Sequence, residues 1–390
     1  MKKYLLALLI WIPASISLAA WTERYVDAAA AGGGDGTTTA TSGGTGAWTL
    51  AEAVTASNTA GGMRINIKAG TYANTTTSRT FADTDGLVTA PIWFRGYNTT
   101  PGDIDSNNAL TKPAITFTTG QLGITGDFQW FSNLDISGAC TTANGQITVT
   151  SGGASVRIVR CRVENTAANA NSRAITLAGG NMHVLGCWFK ATSSAPAVYV
   201  SGQFCRVVGC ATEGGSNGIT IANTGNSIKN CVIDSPGADG INSDSSGCEI
   251  EGNSIYNATG DAIEITTTAA NVIVANNILD TWGGYAVNSS AGVSAVITLQ
   301  NNAYRGTGSG TLNQIYESEN WGSVTESVIP FTNAGSDDFT LISGAGSKGT
   351  GFPGAFENES YTGYLDRGAV QRQETGSNTI DPLTGTIPGL

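Results

Sequence analysis

The chain has 390 residues, of which 40% are hydrophobic and only 13% are charged, and its formal net charge is −11 at pH 7. The hydrophobic content argues against a disordered chain, and the excess of acidic residues makes nucleic acid a poor partner. The length alone would allow two domains. A repeat in the middle of the chain instead favours a single elongated domain, because repeat proteins become longer by adding turns to one continuous core.

Residues 1–19 have the features of a secretory signal peptide. Lys2 and Lys3 precede an apolar run over residues 4–13, and residues 17–19 resemble a cleavage site with small residues. The run is short for a membrane span, although an uncleaved membrane anchor is the alternative. We therefore expect a secreted protein, extracellular or at the cell surface, without stable membrane insertion after signal cleavage.

Residues 20–64 are predicted to form an N-terminal cap. A short strand over residues 21–27 is followed by a Gly-rich loop and by a short amphipathic helix over residues 48–57, with Leu50, Ala53 and Val54 on its apolar face. From residue 65 the strand candidates are irregular and separated by long loops at residues 74–86 and 97–113. Such loops either border a binding surface or are variable solvated connections.

Residues 158–304 repeat with a period near 22 residues, which is about the length of one turn of a solenoid. Two apolar columns keep this period and predict two short strands in each copy. The first column contains Ile158, Val184, Val207, Ile228, Ile250 and Val274. The second column contains Ile175, Val198, Ile219, Ile241, Ile263 and Val287.

A third column, between the two apolar ones, contains residues that tolerate a left-handed bend. It consists of Gly186, Gly209, Asn230, Gly252, Asn276 and Asn301, and only Arg160 departs from it. The residue that follows this column is a cysteine in the first four copies and an asparagine in the last three. These residues are Cys161, Cys187, Cys210, Cys231, Asn253, Asn277 and Asn302. Because side chains in such a column point in parallel, we expect buried thiols rather than disulfides.

These bends, the Asn column and the paired apolar strands resemble the pectate-lyase-like right-handed parallel β-helix superfamily. The resemblance covers about three quarters of the chain and is specific for fold rather than activity. It implies an all-β, single-domain right-handed parallel β-helix, that is, a β-solenoid. About eleven coils over residues 65–330 are expected, with the N-terminal cap helix at one end.

Residues 331–373 are expected to form a C-terminal capping segment. Residues 364–370 contain Asp366, Gly368 and Ala369 and resemble the Asp-x-Gly-Ala motif that closes bacterial β-helices by folding over the last coil. Residues 374–390 are expected to be a flexible tail.

Three acidic residues are the candidate catalytic group. Asp239 and Asp261 precede equivalent strands in successive coils, and Glu264 lies close to Asp261 in the same coil. Carboxylates stacked about 5 Å apart suit a retaining glycosidase, and the diagonal pair Asp239 and Glu264 suits the wider inverting spacing. Close like charges raise the pKa of one group, which provides an acid and a base.

The surrounding turns resemble polygalacturonases of the same superfamily only in part. Residues 238–241 and 260–263 keep the spacing of the two Asp turns, but the Asn-Thr pair, the second Asp and the Gly-His-Gly turn of those enzymes are absent. The acidic stack could instead bind Ca²⁺ through oxygen ligands, or it could be a solvated row of turn residues. No other cofactor is indicated.

Candidate substrate-binding residues fall into two groups. Aromatic side chains can stack on sugar rings, although they could instead only cover turns. A basic strip could hold the carboxylates of an acidic sugar or supply the base of a lyase, and its alternative is a solvated face. The first group is Tyr199, Trp282 and Tyr285, with Tyr256 near by and the polar Asn242 in the same column as Tyr199, and the second group is Arg157, His183 and Arg206.

Two functions of different classes therefore remain open. The first is a secreted enzyme that degrades a polysaccharide, either a glycoside hydrolase or a polysaccharide lyase. The second is a noncatalytic adhesin or a phage or virion fibre module that only binds glycans. In both cases the expected partner is a polysaccharide or a cell-surface glycan.

Overall fold

The computed structural model describes residues 21–347, apart from 56–59, 75–77, 82–84, 107–108, 142–143, 170, 193, 267–269, 291–296, 316–319 and 322–323, together with residues 368–369. The signal segment at residues 1–19 and the tail at 374–390 lie outside the described residues. So does most of the closing motif, including Asp366.

The described residues wind into a parallel β-solenoid with three long sheets of 12, 11 and 10 strands. Each coil passes through the three sheets in the order sheet 1, sheet 2, sheet 3. These numbers agree with the expected single all-β solenoid of about eleven coils. No helix in the described part of the chain is long and apolar enough to cross a membrane.

The strands of sheet 1 are Thr22–Val26, Met63–Lys68, Ile92–Tyr97, Gln129–Ser132, Arg157–Val159, His183–Leu185, Arg206–Val208, Ser227–Lys229, Glu249–Glu251, Val272–Ala275, Ile297–Gln300 and Asn320–Trp321. Those of sheet 2 are Thr71–Asn74, Ala114–Phe117, Asp135–Gly138, Arg162–Asn165, Trp188–Ala191, Ala211–Gly214, Val232–Asp234, Ser254–Ala258, Ile278–Trp282, Ala303–Arg305 and Val324–Thr325. Those of sheet 3 are Arg79–Phe81, Leu122–Ile124, Gly145–Val149, Arg173–Leu177, Val198–Val200, Ile219–Ile221, Ile241–Ser243, Ile263–Ile265, Tyr285–Ser289 and Gly310–Asn313.

The two apolar columns predicted from the sequence are confirmed residue by residue. Neighbouring strands of sheet 1 pair Ile158 with Val184 and continue in that register to Val274. Neighbouring strands of sheet 3 pair Ile175 with Val198 and continue to Val287. All these side chains are buried and form the core.

The prediction of two strands per copy was wrong, because each coil also contributes a strand to sheet 2. The inward column of sheet 2 is mixed in character, and a polar residue, Thr212, interrupts it. It consists of Val163, Phe189, Thr212, Ile233, Ile255, Leu279 and Tyr304. A column that changes size and polarity from coil to coil gives little periodic signal.

The bend between sheets 1 and 2 has a left-handed residue in every repeat, with φ between 53° and 65° from Arg160 to Asn301. The following Cys and Asn side chains form a ladder, in which the side chain of one coil accepts the main-chain N–H of the preceding coil. Asn277 Oδ1 accepts from Asn253 N at 2.9 Å, and Cys187 Sγ accepts from Cys161 N at 3.4 Å. All seven cysteines lie among the described residues, where they are buried thiols outside any disulfide, as expected.

The N-terminal end is covered by a helix of one turn, Leu50–Ala53, which is shorter than the predicted 48–57. Thr49 and Glu52 form a capping box that satisfies the first main-chain donors. Leu50 and Ala53 are buried in the core together with Val26. A second one-turn helix, Asp103–Ser106, lies in the connection between the strands Ile92–Tyr97 of sheet 1 and Ala114–Phe117 of sheet 2.

The C-terminal residues cover the outer face of sheet 2. An antiparallel hairpin of Phe331–Asn333 and Asp338–Leu341, joined by a 3-10 turn at Ala334–Ser336, packs against Ile278 and Ala303. Gly368 N donates to Asn276 O at 2.9 Å, and Ala369 N donates to Ser254 Oγ at 3.0 Å. These two residues of the expected closing motif therefore contact the side of the solenoid.

Candidate functional site

Asp239 and Asp261 lie at the entrance to consecutive strands of sheet 3, stacked as the sequence predicts. Each side chain accepts the main-chain N–H of the equivalent residue one coil further on. Asp239 Oδ1 accepts from Asp261 N at 3.0 Å, and Asp261 Oδ1 accepts from Tyr285 N at 2.5 Å. Asn217 does the same for Asp239 N at 3.1 Å. One oxygen of each carboxylate is thus part of the structure that joins the coils.

The second oxygen of each carboxylate accepts from an amide in the outward row of sheet 3. Asn242 Nδ2 donates to Asp239 Oδ2 at 3.1 Å, and Asn288 Nδ2 donates to Asp261 Oδ2 at 2.7 Å. Both Asp side chains are half-buried. Four hydrogen-bond donors therefore fix the orientation of the two carboxylates.

Glu264 occupies the position in this row where the neighbouring coils have Asn242 and Asn288. Its side chain is buried. Glu264 Oε1 accepts from Ser290 Oγ at 2.6 Å, whereas Oε2 has no donor among the described residues. Burial, followed by the nearby carboxylates of Asp261 and Asp239, raises the pKa of Glu264 to about 7.

The unmatched oxygen of Glu264 is explained if this carboxyl group carries the proton. An amide at this position, as in Asn242, donates to the Asp of its own coil, whereas an ionised Glu could only accept. A protonated Glu264 can donate its hydroxyl to Asp261, and this removes the repulsion between two acceptors. A carboxyl that titrates near pH 7 beside fixed carboxylates has the chemistry of a general acid or base.

Comparison with known proteins agrees with this architecture. A family model described as the right-handed β-helix region matches residues 197–329. The solved structure of pectate lyase Pel9A aligns with a TM-score of 0.54 and 14% identity, covering 92% of this chain and 98% of that one. The chain therefore has the right-handed parallel β-helix fold, which pectate lyase Pel9A shares. A rhamnogalacturonan lyase aligns with this β-helix at a TM-score of 0.52 and 14% identity, covering 80% of this chain and 90% of that one.

No curated protein sequence matches this β-helix significantly. The described residues contain no group of three or more His, Cys, Asp or Glu side chains that could hold a metal ion.

The predicted aromatic binding residues of the β-helix are not all at its surface. Tyr199 is half-buried in the outward row of sheet 3, where Arg173 lies over its ring at 3.8 Å. Tyr285 is half-buried next to Asp261. Trp282 is buried, and its indole N–H donates to Gly310 O at 2.9 Å, so its ring cannot stack on a sugar at the surface. Tyr256 lies on sheet 2, against Phe339 of the C-terminal hairpin, and not near the acids.

Arg157, His183 and Arg206 are adjacent, as predicted, but they lie on sheet 1. The β-helix therefore places the basic strip and the acidic group on different faces. The sequence interpretation missed Trp93 and Trp130, which continue the basic strip toward the N-terminus. They immediately precede the core residues Phe94 and Phe131, so extending the first apolar column into the irregular coils would have found them.

Proposed function

We propose that the protein is a secreted polysaccharide-degrading enzyme and that Glu264 is its general acid, with Asp261 as the adjacent carboxyl group of the catalytic pair. The supporting observation is the buried carboxyl of Glu264, whose pKa is raised to about 7 beside two carboxylates that hydrogen bonds hold in place. Paired carboxyl groups of this kind serve glycoside hydrolysis, in which one group protonates the departing oxygen. Hydrolysis is therefore the proposed reaction, with lyase activity as the alternative within the same class.

A noncatalytic glycan-binding role is the second candidate. The observation that favours it is the bonding of Asp239 and Asp261 to main-chain N–H groups of the next coil, which gives both residues a structural task. If this is their whole role, the outward row of sheet 3 can bind a glycan without cleaving it.

The first experiment is a screen of the mature protein on a panel of neutral and acidic polysaccharides. Reducing ends without ultraviolet absorbance indicate hydrolysis, and reducing ends with absorbance from unsaturated products indicate a lyase. Binding without either product contradicts the enzymatic proposal. The mass of the protein recovered from the culture medium tests secretion, because removal of residues 1–19 shortens the chain by that segment.

On a substrate found in this way, Glu264→Gln tests the acid directly. Gln keeps the size of the side chain but cannot donate a proton to a leaving group, so turnover should fall by at least about 100-fold. The matched control is Glu213→Gln, because Glu213 lies outward on sheet 2, where it pairs with Lys190. Full activity of the Glu264 variant would refute the assignment.

The pH profile gives a second measurement. If Glu264 acts as the acid, activity should decline as the pH rises through about 7. Asp261→Asn removes one of the charges that raise the pKa of Glu264. The alkaline limb of this variant should therefore move to lower pH, and an unchanged limb would mean that another group controls the profile.

A further inference from the structure

The C-terminal hairpin lies over a row of outward side chains on sheet 2. Each member of the row is the direct neighbour of the next in the parallel register. The row consists of Glu164, Lys190, Glu213, Asp234, Tyr256, Asp280 and Arg305. The ring centroid of Phe339 in the hairpin lies 6.1 Å from that of Tyr256. The hairpin therefore contacts the row at Tyr256, which has an acid on either side.

Apolar side chains hold the hairpin on the sheet. A buried cluster joins Phe331, Phe339 and Leu341 of the hairpin to Ile278 and Ala303 of sheet 2. If the hairpin left the sheet, the outward faces of these two sheet residues would meet water. Docking of the hairpin is thus favoured by the hydrophobic effect.

Asp280 is fully buried, although its side chain lies on the outward side of sheet 2. Its Oδ1 accepts from Arg305 Nη1 at 2.5 Å, whereas its Oδ2 has no donor among the described residues. Burial raises the pKa of Asp280 despite the hydrogen bonds from Arg305 and Thr281, and the charge of Glu326 adds to the rise. Glu326 is itself buried and accepts from Gly346 N at 2.8 Å, so it joins the chain before the hairpin to the chain after it.

Asp234 is half-buried on the other side of Tyr256. It is the direct neighbour of Glu213 in the row, and like charges in such a position repel. Burial raises the pKa of Asp234, and the carboxylates of Asp337 and Glu213 raise it further, against one hydrogen bond from Ser235. Asp337 belongs to the turn of the hairpin, so the hairpin sets one acid against another on the sheet.

Acids therefore predominate in the hairpin and in the part of the row beneath it. The charged residues described there are the base Arg305 and the acids Asp234, Asp280, Glu326, Asp337 and Asp338. Lys190, the other base of the row, pairs with Glu213. We propose that the C-terminal hairpin is a pH-sensitive latch, which docks tightly on sheet 2 in acid and loosens as the pH rises, uncovering the apolar side chains of the sheet.

The sign of the pH dependence follows from the two covered acids. The docked hairpin favours the protonated forms of Asp234 and Asp280, whose pKa values lie above the ordinary 3.8. Docking therefore takes up protons. The resulting stabilisation of the docked state is fully present below pH 3.8 and is lost as the pH rises through the raised pKa values.

The test measures hydrogen–deuterium exchange of the full-length protein at about pH 5 and pH 8, with rates corrected for the intrinsic effect of pH on amide exchange. Amides of residues 331–341 should be at least about threefold less protected at the higher pH. The double variant Asp234→Asn with Asp280→Asn should keep the higher protection at both pH values, because Asn has a similar shape and cannot ionise. The sheet 3 strand Ile219–Ile221 is the internal reference, and its protection should be the same in both proteins at each pH.

The matched control is Glu164→Gln, since Glu164 belongs to the same row but lies on the strand Arg162–Asn165, where it pairs with Arg162. This variant should keep the pH dependence of the unmodified protein. Phe339→Ala should lower the protection of the hairpin at both pH values, which establishes that exchange reports docking.

Hairpin exchange that does not depend on pH, or a double variant that loses protection as the unmodified protein does, would overturn the proposal. So would a gain in the double variant that appears equally in Ile219–Ile221, because pH would then act on the whole fold. The measurement needs no substrate, so its outcome is independent of the proposed enzymatic function.

Discussion

The ladder at the bend between sheets 1 and 2 makes a quantitative prediction for Asn277→Ala. Asn277 is fully buried, and its side chain makes three hydrogen bonds to the preceding coil, of which one is with the side-chain amide of Asn253 and two are with main-chain groups. Its Oδ1 accepts from Asn253 N at 2.9 Å, and its Nδ2 donates to Ile250 O at 2.9 Å. Both of these main-chain groups belong to buried residues, so removing the amide leaves a donor and an acceptor without their ladder partner.

Each unsatisfied buried group costs about 1–3 kcal/mol, so Asn277→Ala should lower the free energy of unfolding by about 2–6 kcal/mol. Asn277→Cys should cost less than half as much. The chain already uses a thiol at this ladder position, where Cys187 Sγ accepts from Cys161 N at 3.4 Å and donates to Ile158 O at 3.5 Å. A thiol is a weaker partner than an amide, but it can restore both contacts.

Equilibrium unfolding in guanidinium chloride measures the two variants against the unmodified protein. Far-ultraviolet circular dichroism and tryptophan fluorescence must give coincident transitions for the free energies to be compared, because solenoids can lose cooperativity. A cost below about 1 kcal/mol for the Ala variant would show that water or relaxation satisfies the freed groups. Equal costs for Ala and Cys would show that the thiols do not serve as ladder members.

Three further predictions concern single side chains. Ile241→Asp should unfold the middle coils, because Ile241 is fully buried and an unpaired charge would replace it; an unchanged melting temperature would contradict the assigned register. The pKa of Glu264 is raised from 4.5 to about 7, so the folded protein favours the protonated form of this side chain. The stability that protonated Glu264 contributes is fully present below pH 4.5 and is lost as the pH rises through about 7. Glu264→Gln should therefore gain stability relative to the unmodified protein between pH 5 and 8. Free energies of unfolding that change in parallel for the two proteins over this range would refute the prediction. Burial raises the pKa of Asp103, but hydrogen bonds from Asn98 N, Thr100 N and Thr99 N outweigh this effect and lower the pKa to about 2. The stability that ionised Asp103 contributes should therefore be lost as the pH falls from about 4 to 2, and Asp103→Ala should not show this loss.

The sequence predicted the structure best at positions where every coil needs the same type of residue. The apolar columns and the left-handed bends from Gly186 to Asn301 follow from such a demand, because each coil must fill the same core and turn the same corner. The stacking of Asp239 on Asp261 followed from the same register. Sheet 2 escaped prediction because its inward residues range from Thr212 to Phe189 and leave no regular pattern.

The candidate site was predictable in its position but not in its bonding. The sequence placed Glu264 beside Asp261, but only the three-dimensional structure reveals that both Asp side chains accept main-chain N–H groups and that one Glu264 oxygen lacks a donor. The burial of Trp282 could not be foreseen either, since it depends on the contact with Gly310 in the following coil.

The two ladders of this solenoid run in opposite directions along the axis. At the bend, the N–H of Cys231 is satisfied by Asn253 of the following coil, whereas at the entrance to sheet 3 the N–H of Asp261 is satisfied by Asp239 of the preceding coil. A coil therefore depends on both neighbours, but for different donors. If the chain were cut between two coils, the main-chain N–H group at the last bend of the N-terminal fragment would lose its acceptor. On the C-terminal fragment, the main-chain N–H group at the first entrance to sheet 3 would lose its acceptor. Each fragment would hold the acceptors that the other has lost, so the two cut faces are complementary to each other and not to themselves.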